Sequence, residues 1–274
     1  MLETLPYAIP ARHRARYAAL VTAACRADDR EIRRAAFAEL HEWSPWAGDL
    51  TELIVDRLTD LDEELDEELG GVAAAALLRS AGDTALGEAL TRLAATPEPD
   101  KHPGPDLPAR RRIEALVQGV STVGRSLPAG ADRSALIAVM RDLASRPGYR
   151  TVALAALINL GRLDNLIEIA DRCAGHPVAA VRIAERVGAR LRDNQAFAEP
   201  AFLHGVIEGL AWRGDLAGGL FATQLVRAGA AYGWSGRWCD LVLALRSHPD
   251  ADVREDAFSI VMTSVDGEFS RMSR

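Results

Sequence analysis

RPGYRTVALAALINLGRLDN, running from Arg146 to Asn165, is the stretch that decides the fold. Pro147-Gly148 breaks any incoming helix. Tyr149, Ala153, Ala156, Leu157 and Leu160 then recur at spacings of three and four, which lines one face of a helix with apolar groups until Gly161 stops it. The alanines on that face let a neighbouring helix approach closely, while Leu157 and Leu160 fill the space beside them. A helix of this kind requires packing partners, and the rest of the chain supplies them.

Aligning on Arg150 and the alanine three residues later finds the same frame again at Arg33 with Ala36 and at Arg254 with Ala257. Weaker copies place Gly70 with Ala73, Arg112 with Ala115, Arg182 with the displaced Ala184, and Ala217 with Leu220. The anchors fall at 33, 70, 112, 150, 182, 217 and 254, at intervals of 32 to 42 residues, the range of stacked helical repeats. Ahead of each anchor lies an apolar quartet at helical spacing. The quartets are Tyr17/Leu20/Val21/Ala24, Leu86/Ala89/Leu90/Leu93, Leu136/Val139/Met140/Leu143, Leu163/Leu166/Ile167/Ala170, Leu203/Val206/Ile207/Leu210 and Trp238/Leu241/Val242/Leu245, with an imperfect Leu50/Leu53/Ile54/Leu58. Seven first helices thus alternate with seven second helices.

The second helices open on a Pro or Asp turn and continue V-R-x-x-A-A-x-A-L-x-x-L-G, best seen from His248 to Ala257 and from Tyr149 to Gly161. That pattern resembles the HEAT repeat over nearly the whole chain. The resemblance implies an all-α fold, an α-solenoid of about seven HEAT-like pairs wound as a right-handed superhelix, in one domain spanning 1–274. It also implies a long concave face lined by the second helices and used to hold another protein. HEAT-like arrays also serve as DNA glycosylases and bilin lyases, so the repeat alone does not choose the task.

Composition narrows the choice. With 49% hydrophobic and 26% charged residues among 274, the chain can bury a core, and 5% aromatics with no period-two alternation favours close-packed helices over sheets. The net charge of −7 opposes general binding to nucleic acid, which needs cations to displace counterions from phosphate. Lys101 is the only lysine, an arginine bias that codon usage explains without a functional conclusion. Cys25, Cys173 and Cys239 are far apart and form no metal-ligand spacing, so they are expected as small buried hydrophobes; no metal and no cofactor is expected. Met1 to Pro10 carries no leader pattern and no run approaches a membrane span of about 20 residues, so a cytoplasmic protein without membrane contact is expected.

Along the chain, the first helix is expected from about Ala11, and the second from an N-cap at Asp28 to Trp43. Trp43 and Trp46 flank the next turn, as packing groups or as a ligand platform. Asp60 to Leu69 sets leucines every four residues among carboxylates, a solvated helix face or a docking site for a basic partner. Thr96 to Leu107 is proline-rich and expected as a mobile loop inside the third repeat, residues 96–107. His176 and His248 each precede a proline at the same turn position, which points to turn chemistry. Gly205, Gly209, Gly214, Gly218 and Gly219 bare a helix face near Trp212, Trp234 and Trp238, for close packing or for a ligand.

No catalytic constellation is legible, and the leading expectation is a non-catalytic scaffold or adaptor whose partner is another protein. Arg34, Arg111, Gln118, Asn159, Glu185, Arg186 and Gln224 fall off the apolar stripes of second helices and are expected to line the binding face. Trp212, Trp234 and Trp238 join them as rigid anchors, Trp234 being the cleaner choice because Trp238 also begins an apolar quartet. The anchor arginines Arg150, Arg182 and Arg254 are expected to act in structure, each reaching a carboxylate or carbonyl between repeats.

Overall fold

The computed structural model describes residues 5–59, 72–73, 76, 82–95, 108–126, 133–161, 165–193, 199–234 and 236–262. Among them are thirteen α-helices and no strand. The acidic stretch from Asp60 to Leu69 and the proline-rich loop 96–107 lie outside the described residues. The helices are α1 Ala11–Ala24, α2 Arg30–Trp43, α3 Thr51–Thr59, α4 Gly82–Ala94, α5 Pro108–Ser126, α6 Ser134–Ser145, α7 Arg150–Leu160, α8 Leu166–Cys173, α9 Pro177–Asp193, α10 Pro200–Ala211, α11 Leu216–Val226, α12 Arg237–Arg246 and α13 Ala251–Phe258. Among the described residues no helix is long and apolar enough to cross a membrane.

The chain divides into two compact units, 1–160 and 161–274. In the first, α1 packs on α2, α4 on α3, α5 and α6, and α7 on α5 and α6. In the second, α8 packs on α9, α10 and α11, while α11 also touches α9, α10, α12 and α13, and α12 touches α10 and α13. The first helices α3, α4 and α6 meet in succession in the first unit and α8, α10 and α12 in the second, and so do the second helices α5 and α7, and α9, α11 and α13.

Most of the apolar quartets point inward, among them Leu86/Ala89/Leu90/Leu93, Leu203/Val206/Ile207/Leu210 and Trp238/Leu241/Val242/Leu245, all buried. Two readings need correction. Leu20 is exposed, since α1 buries only the narrower stripe of Ala18 and Val21. Ile167 is also partly exposed, lying along the bare backbone of α10 at Gly209, while Leu163 of the same quartet lies outside the described residues. At the start of the chain, Trp43 is buried with its ring stacked on Tyr17 at 5.9 Å between centroids, and Trp46 meets it edge-on at 6.3 Å. The Arg14 guanidinium lies over Trp46, 5.3 Å from the ring centroid. The tryptophan pair is therefore packing.

Arginine side chains close the turns and helix ends. The N-cap of α2 is Asp29, one residue later than expected, and its Oδ1 accepts from the Glu31 and Ile32 amides at 2.8 and 3.1 Å. Arg33 Nη1 then donates back to the carbonyls of Ala27 and Asp28 at 2.8 and 2.7 Å. The same device recurs at the far end of the chain: Asp250 caps α13 through the Asp252 amide at 3.0 Å, and Arg254 Nη1 donates to the carbonyls of His248 and Pro249, both at 2.7 Å. In the first unit Arg112, buried, donates to Leu58 O at 2.8 Å, Arg146 to Ala94 O at 3.3 Å and Arg133 to Leu160 O at 3.2 Å. Each of these acceptors sits at or near a helix C-terminus, where carbonyls have no intrahelical donor and the dipole favours a cation. Arg254 therefore reaches carbonyls as expected, although those of its own turn; among the described residues Arg150 and Arg182 do not.

The glycines of α11 are there for close contact. A Cβ on Gly218 would lie 2.5 Å from the Leu210 carbonyl oxygen, and one on Gly219 would lie 2.5 and 2.8 Å from the γ carbons of Val253. Gly205, by contrast, has open space where its Cβ would stand. His248, buried, packs beside Gly219; its Nδ1 accepts from the Asp250 amide at 3.1 Å, which leaves the proton on Nε2, a buried atom without a hydrogen-bond partner. Burial pushes the His248 imidazole below its ordinary value of 6.5, with the Asp250 carboxylate opposing that shift.

Leu157→Ala and Leu241→Ala, both in the core, are expected to lose about 2 to 5 kcal/mol each in urea unfolding; an unchanged midpoint for either refutes the assigned faces. Gly219→Ala is expected to destabilise by roughly 1 to 3 kcal/mol although alanine is the better helix former, while Gly205→Ala gains up to about 1 kcal/mol; equal effects at the two sites exclude close packing as the reason for Gly219. Because His248 binds a proton less readily folded than unfolded, its share of stability is present above 6.5 and is lost as the pH falls from there toward the lowered folded value. Thermal melts between these limits check this, since His248→Asn should flatten the acid slope, and a slope that stays the same assigns it to other groups.

Candidate interaction surface

The exposed faces of the second helices carry most of the expected binding residues, and the two units supply them separately. In the first unit Arg34 stands exposed on α2, and Arg111 and Gln118, two turns apart on α5, are exposed as well. Asn159 on α7 is half-buried, and its Nδ2 donates to Ser121 Oγ on α5. That amide bridges adjacent second helices.

In the second unit the second helices are joined by a polar ladder. Gln224 of α11 lays its side-chain amide on the bare backbone of Gly188 in α9, where any Cβ would collide with the amide oxygen. Its Nε2 donates to Asp256 Oδ2 of α13 at 3.2 Å. The other Asp256 oxygen accepts from Arg227 Nη2 at 2.7 Å, and the same nitrogen donates to Ser259 Oγ at 3.0 Å. Gln224, expected as a binding residue, is thus held inside a ladder from α9 to α13. Glu185 and Arg186 stand clear of it, exposed on α9.

The aromatic group does not assemble as expected. Trp212 is 87% exposed, but it caps the C-terminus of α10, a first helix, and so belongs to the turn rather than to the second-helix face. Trp234, the cleaner choice by sequence, is buried, and so is Trp238. Trp238 stacks on Tyr232 at 5.3 Å between centroids and meets His204 edge-on at 4.4 Å. A Cβ on Gly229 would lie 2.8 Å from the Trp234 ring, and Cys239 Sγ donates to Trp234 O at 2.7 Å. The backbone turns sharply here, with Trp234 at φ 53° between Gly233 at 69° and Gly236 at 51°. Those left-handed residues fold the connection back so that both indoles fill the interior, an arrangement the two glycines permit and no helical periodicity announces.

Sequence reasoning passed over Val178 and Val181 on α9, which are 67% and 44% exposed, and took Arg182 as a structural anchor although it too is exposed. Their signal is readable: counted from Pro177, positions 178, 181, 182, 185 and 189 share one face of a helix, opposite to the buried Ala180, Ile183, Ala184 and Val187.

Cys25, Cys173 and Cys239 are buried and none is in a disulfide, and burial pushes the Cys25 thiol up to about 12, far from a reactive thiolate. Among the described residues no three His, Cys, Asp or Glu side chains are placed to hold a metal ion. Burial, aided by the Arg237 guanidinium, holds the His204 imidazole below its ordinary range. Its partners are aromatic, and Arg237 is itself clasped by Glu208 at 2.6 Å. No family model matches the chain, and neither the curated proteins nor the solved structures contain a significant match to it.

Proposed function

We propose that each unit is a run of HEAT-like helical pairs and that the protein is a non-catalytic adaptor, holding another protein along the exposed faces of its second helices. The observation that carries this reading is the recurrence of one local design, an aspartate cap with an arginine folded back on the preceding turn, at Asp29/Arg33 and Asp250/Arg254. One such turn opens a second helix in each unit, and neighbouring second helices touch in both, α5 with α7 in the first and α9 with α11 and α11 with α13 in the second, which supports a stacked arrangement within each unit. A surface built this way needs no special residue to be extended, and large contact areas suit a protein partner better than a small molecule.

A photo-crosslinking amino acid placed singly at Gln118 and at Arg186, with Leu243 of the first helix α12 as control, tests the reading in the native host. Adducts with one protein at both second-helix positions and none at Leu243 are expected. With that protein purified, Glu185→Ala/Arg186→Ala should weaken binding by more than about 1 kcal/mol without a change in melting temperature. Adducts at Leu243 alone, or adducts with nucleic acid, overturn the proposal; the latter would favour the glycosylase-like alternative.

A further inference from the structure

The exposed face of α9 is charged in a way that the rest of the fold leaves unanswered. Arg182 and Arg186 stand one turn apart on it, and among the described residues neither makes an ion pair or a hydrogen bond through its side chain. Glu185 lies one turn from Arg182, within reach on an α-helix, and is not paired with it either. Like charges at this spacing disfavour the helix that carries them. Many other arginines have acceptors, although among the described residues Arg16, Arg26, Arg30 and Arg150 have none through their side chains: Arg33, Arg112, Arg133, Arg146 and Arg254 reach carbonyls, and Arg92, Arg213, Arg227 and Arg237 reach carboxylates. Beside the two bare guanidinium groups lie Val178 and Val181, aliphatic side chains left to solvent on the same helix face.

We infer that this face of α9 is a docking site for an acidic protein segment that also carries aliphatic residues, its carboxylates meeting Arg182 and Arg186 and its aliphatic groups covering Val178 and Val181. The inference rests on the adaptor reading and adds the partner's chemistry and the helix that receives it. A guanidinium pairs with a carboxylate through two parallel hydrogen bonds, so two arginines a turn apart read two carboxylates at matching spacing. Closing two exposed valines at the same contact excludes water from those pairs and strengthens them. Nucleic acid would also seek arginine, but the Glu185 carboxylate lies beside Arg182 on the exposed side of the helix, the valines offer nothing to a phosphate backbone, and the protein as a whole carries −7. An acidic peptide meets the same net charge with its apolar contacts intact, and the local cations decide where on the surface it settles.

The test uses the full chain as bait in selection from a random-peptide display library, with a labelled mixed-sequence single-stranded DNA as a second probe. Enriched peptides should combine Asp or Glu with Leu, Ile or Val, and their affinity should fall as salt rises. The charge reversal R182E/R186E should weaken the best of them about tenfold or more, and Val178→Asp should weaken it independently, both with melting temperatures unchanged since all three positions are exposed. The inference is overturned if no peptide is enriched, if the enriched peptides are not acidic, if they bind R182E/R186E as tightly as the native chain, or if the DNA binds more tightly than they do. Peptides insensitive to the α9 changes, together with protein adducts from Gln118 and Arg186, would remove this site and leave the adaptor reading standing. Absence of protein adducts at those positions would remove the adaptor reading itself.

Discussion

Guanidinium groups bonded to main-chain carbonyls hold much of this fold in place. An all-helical protein of short helices has many ends, and every end leaves carbonyls without donors; buried, each such group costs about 1 to 3 kcal/mol if unpaired. Water serves at the surface, but where two helix ends are pressed into a neighbouring pair a long donor with several N–H groups is needed. Arg112 does this for Leu58, Arg146 for Ala94 and Arg133 for Leu160, while Arg246 Nη2 donates to Ile260 O at 2.8 Å just beyond α13. The strong arginine bias of the sequence thus has a structural use whatever its genetic origin, since the guanidinium carries five N–H donors on a planar group, and at Arg33 and Arg254 a single one of its nitrogens, Nη1, reaches two carbonyls.

Around that framework the second unit is organised by α11, which is buried on nearly every side and therefore shows no apolar stripe. A helix with five neighbours cannot have a polar face, and it can only be approached from all sides if some of its positions are bare. Gly218 accepts the end of α10 and Gly219 accepts Val253 and His248, so the loss of helix propensity at two glycines is offset by the contact area they open. His248 is drawn into the same contact. It is buried where its counterpart His176, at the equivalent turn before α9, stays in solvent, so the shared sequence position produces a shared turn but two different environments.

The sequence makes the helices legible because their faces are periodic, and it makes the turns legible where proline, glycine and aspartate mark them. Leu157 on α7 and the quartets of α4, α10 and α12 are buried as their spacing requires. What periodicity does not encode is which neighbour a side chain meets. Trp234 lies between glycines in a connection, with no helical frame to orient it, and the left-handed backbone at Gly233, Trp234 and Gly236 turns it inward. Gln224 lies off its stripe as a binding residue would, yet Gly188 on another helix opens the place where its amide is held. Asp29 and Asp28 are both plausible caps in sequence, and the choice falls to the one whose carboxylate reaches the first free amides. Arg34, Arg111, Gln118, Glu185 and Arg186 on second helices are exposed as their places off the apolar stripes require, because they needed only to point away from a core. Trp234 and Trp238 are buried because large apolar groups gain more from burial than from exposure unless something holds them out.

A distinction between satisfied and unsatisfied groups then separates structure from surface. The ladder of Gln224, Asp256, Arg227 and Ser259 spends every one of these side chains on a partner within the unit, so a ligand that engaged them would first have to break bonds already made. Among the described residues Arg182, Glu185 and Arg186 have no such bonds to break, and Val178 and Val181 keep about two thirds and under half of their surface in solvent, 67% and 44%. A binding partner gains most where the free protein has given up least. Within one helix, α9 therefore divides its work: Gly188 and the buried Ile183, Ala184 and Val187 bind it into the unit, while the opposite face keeps its charges and aliphatic surface uncommitted.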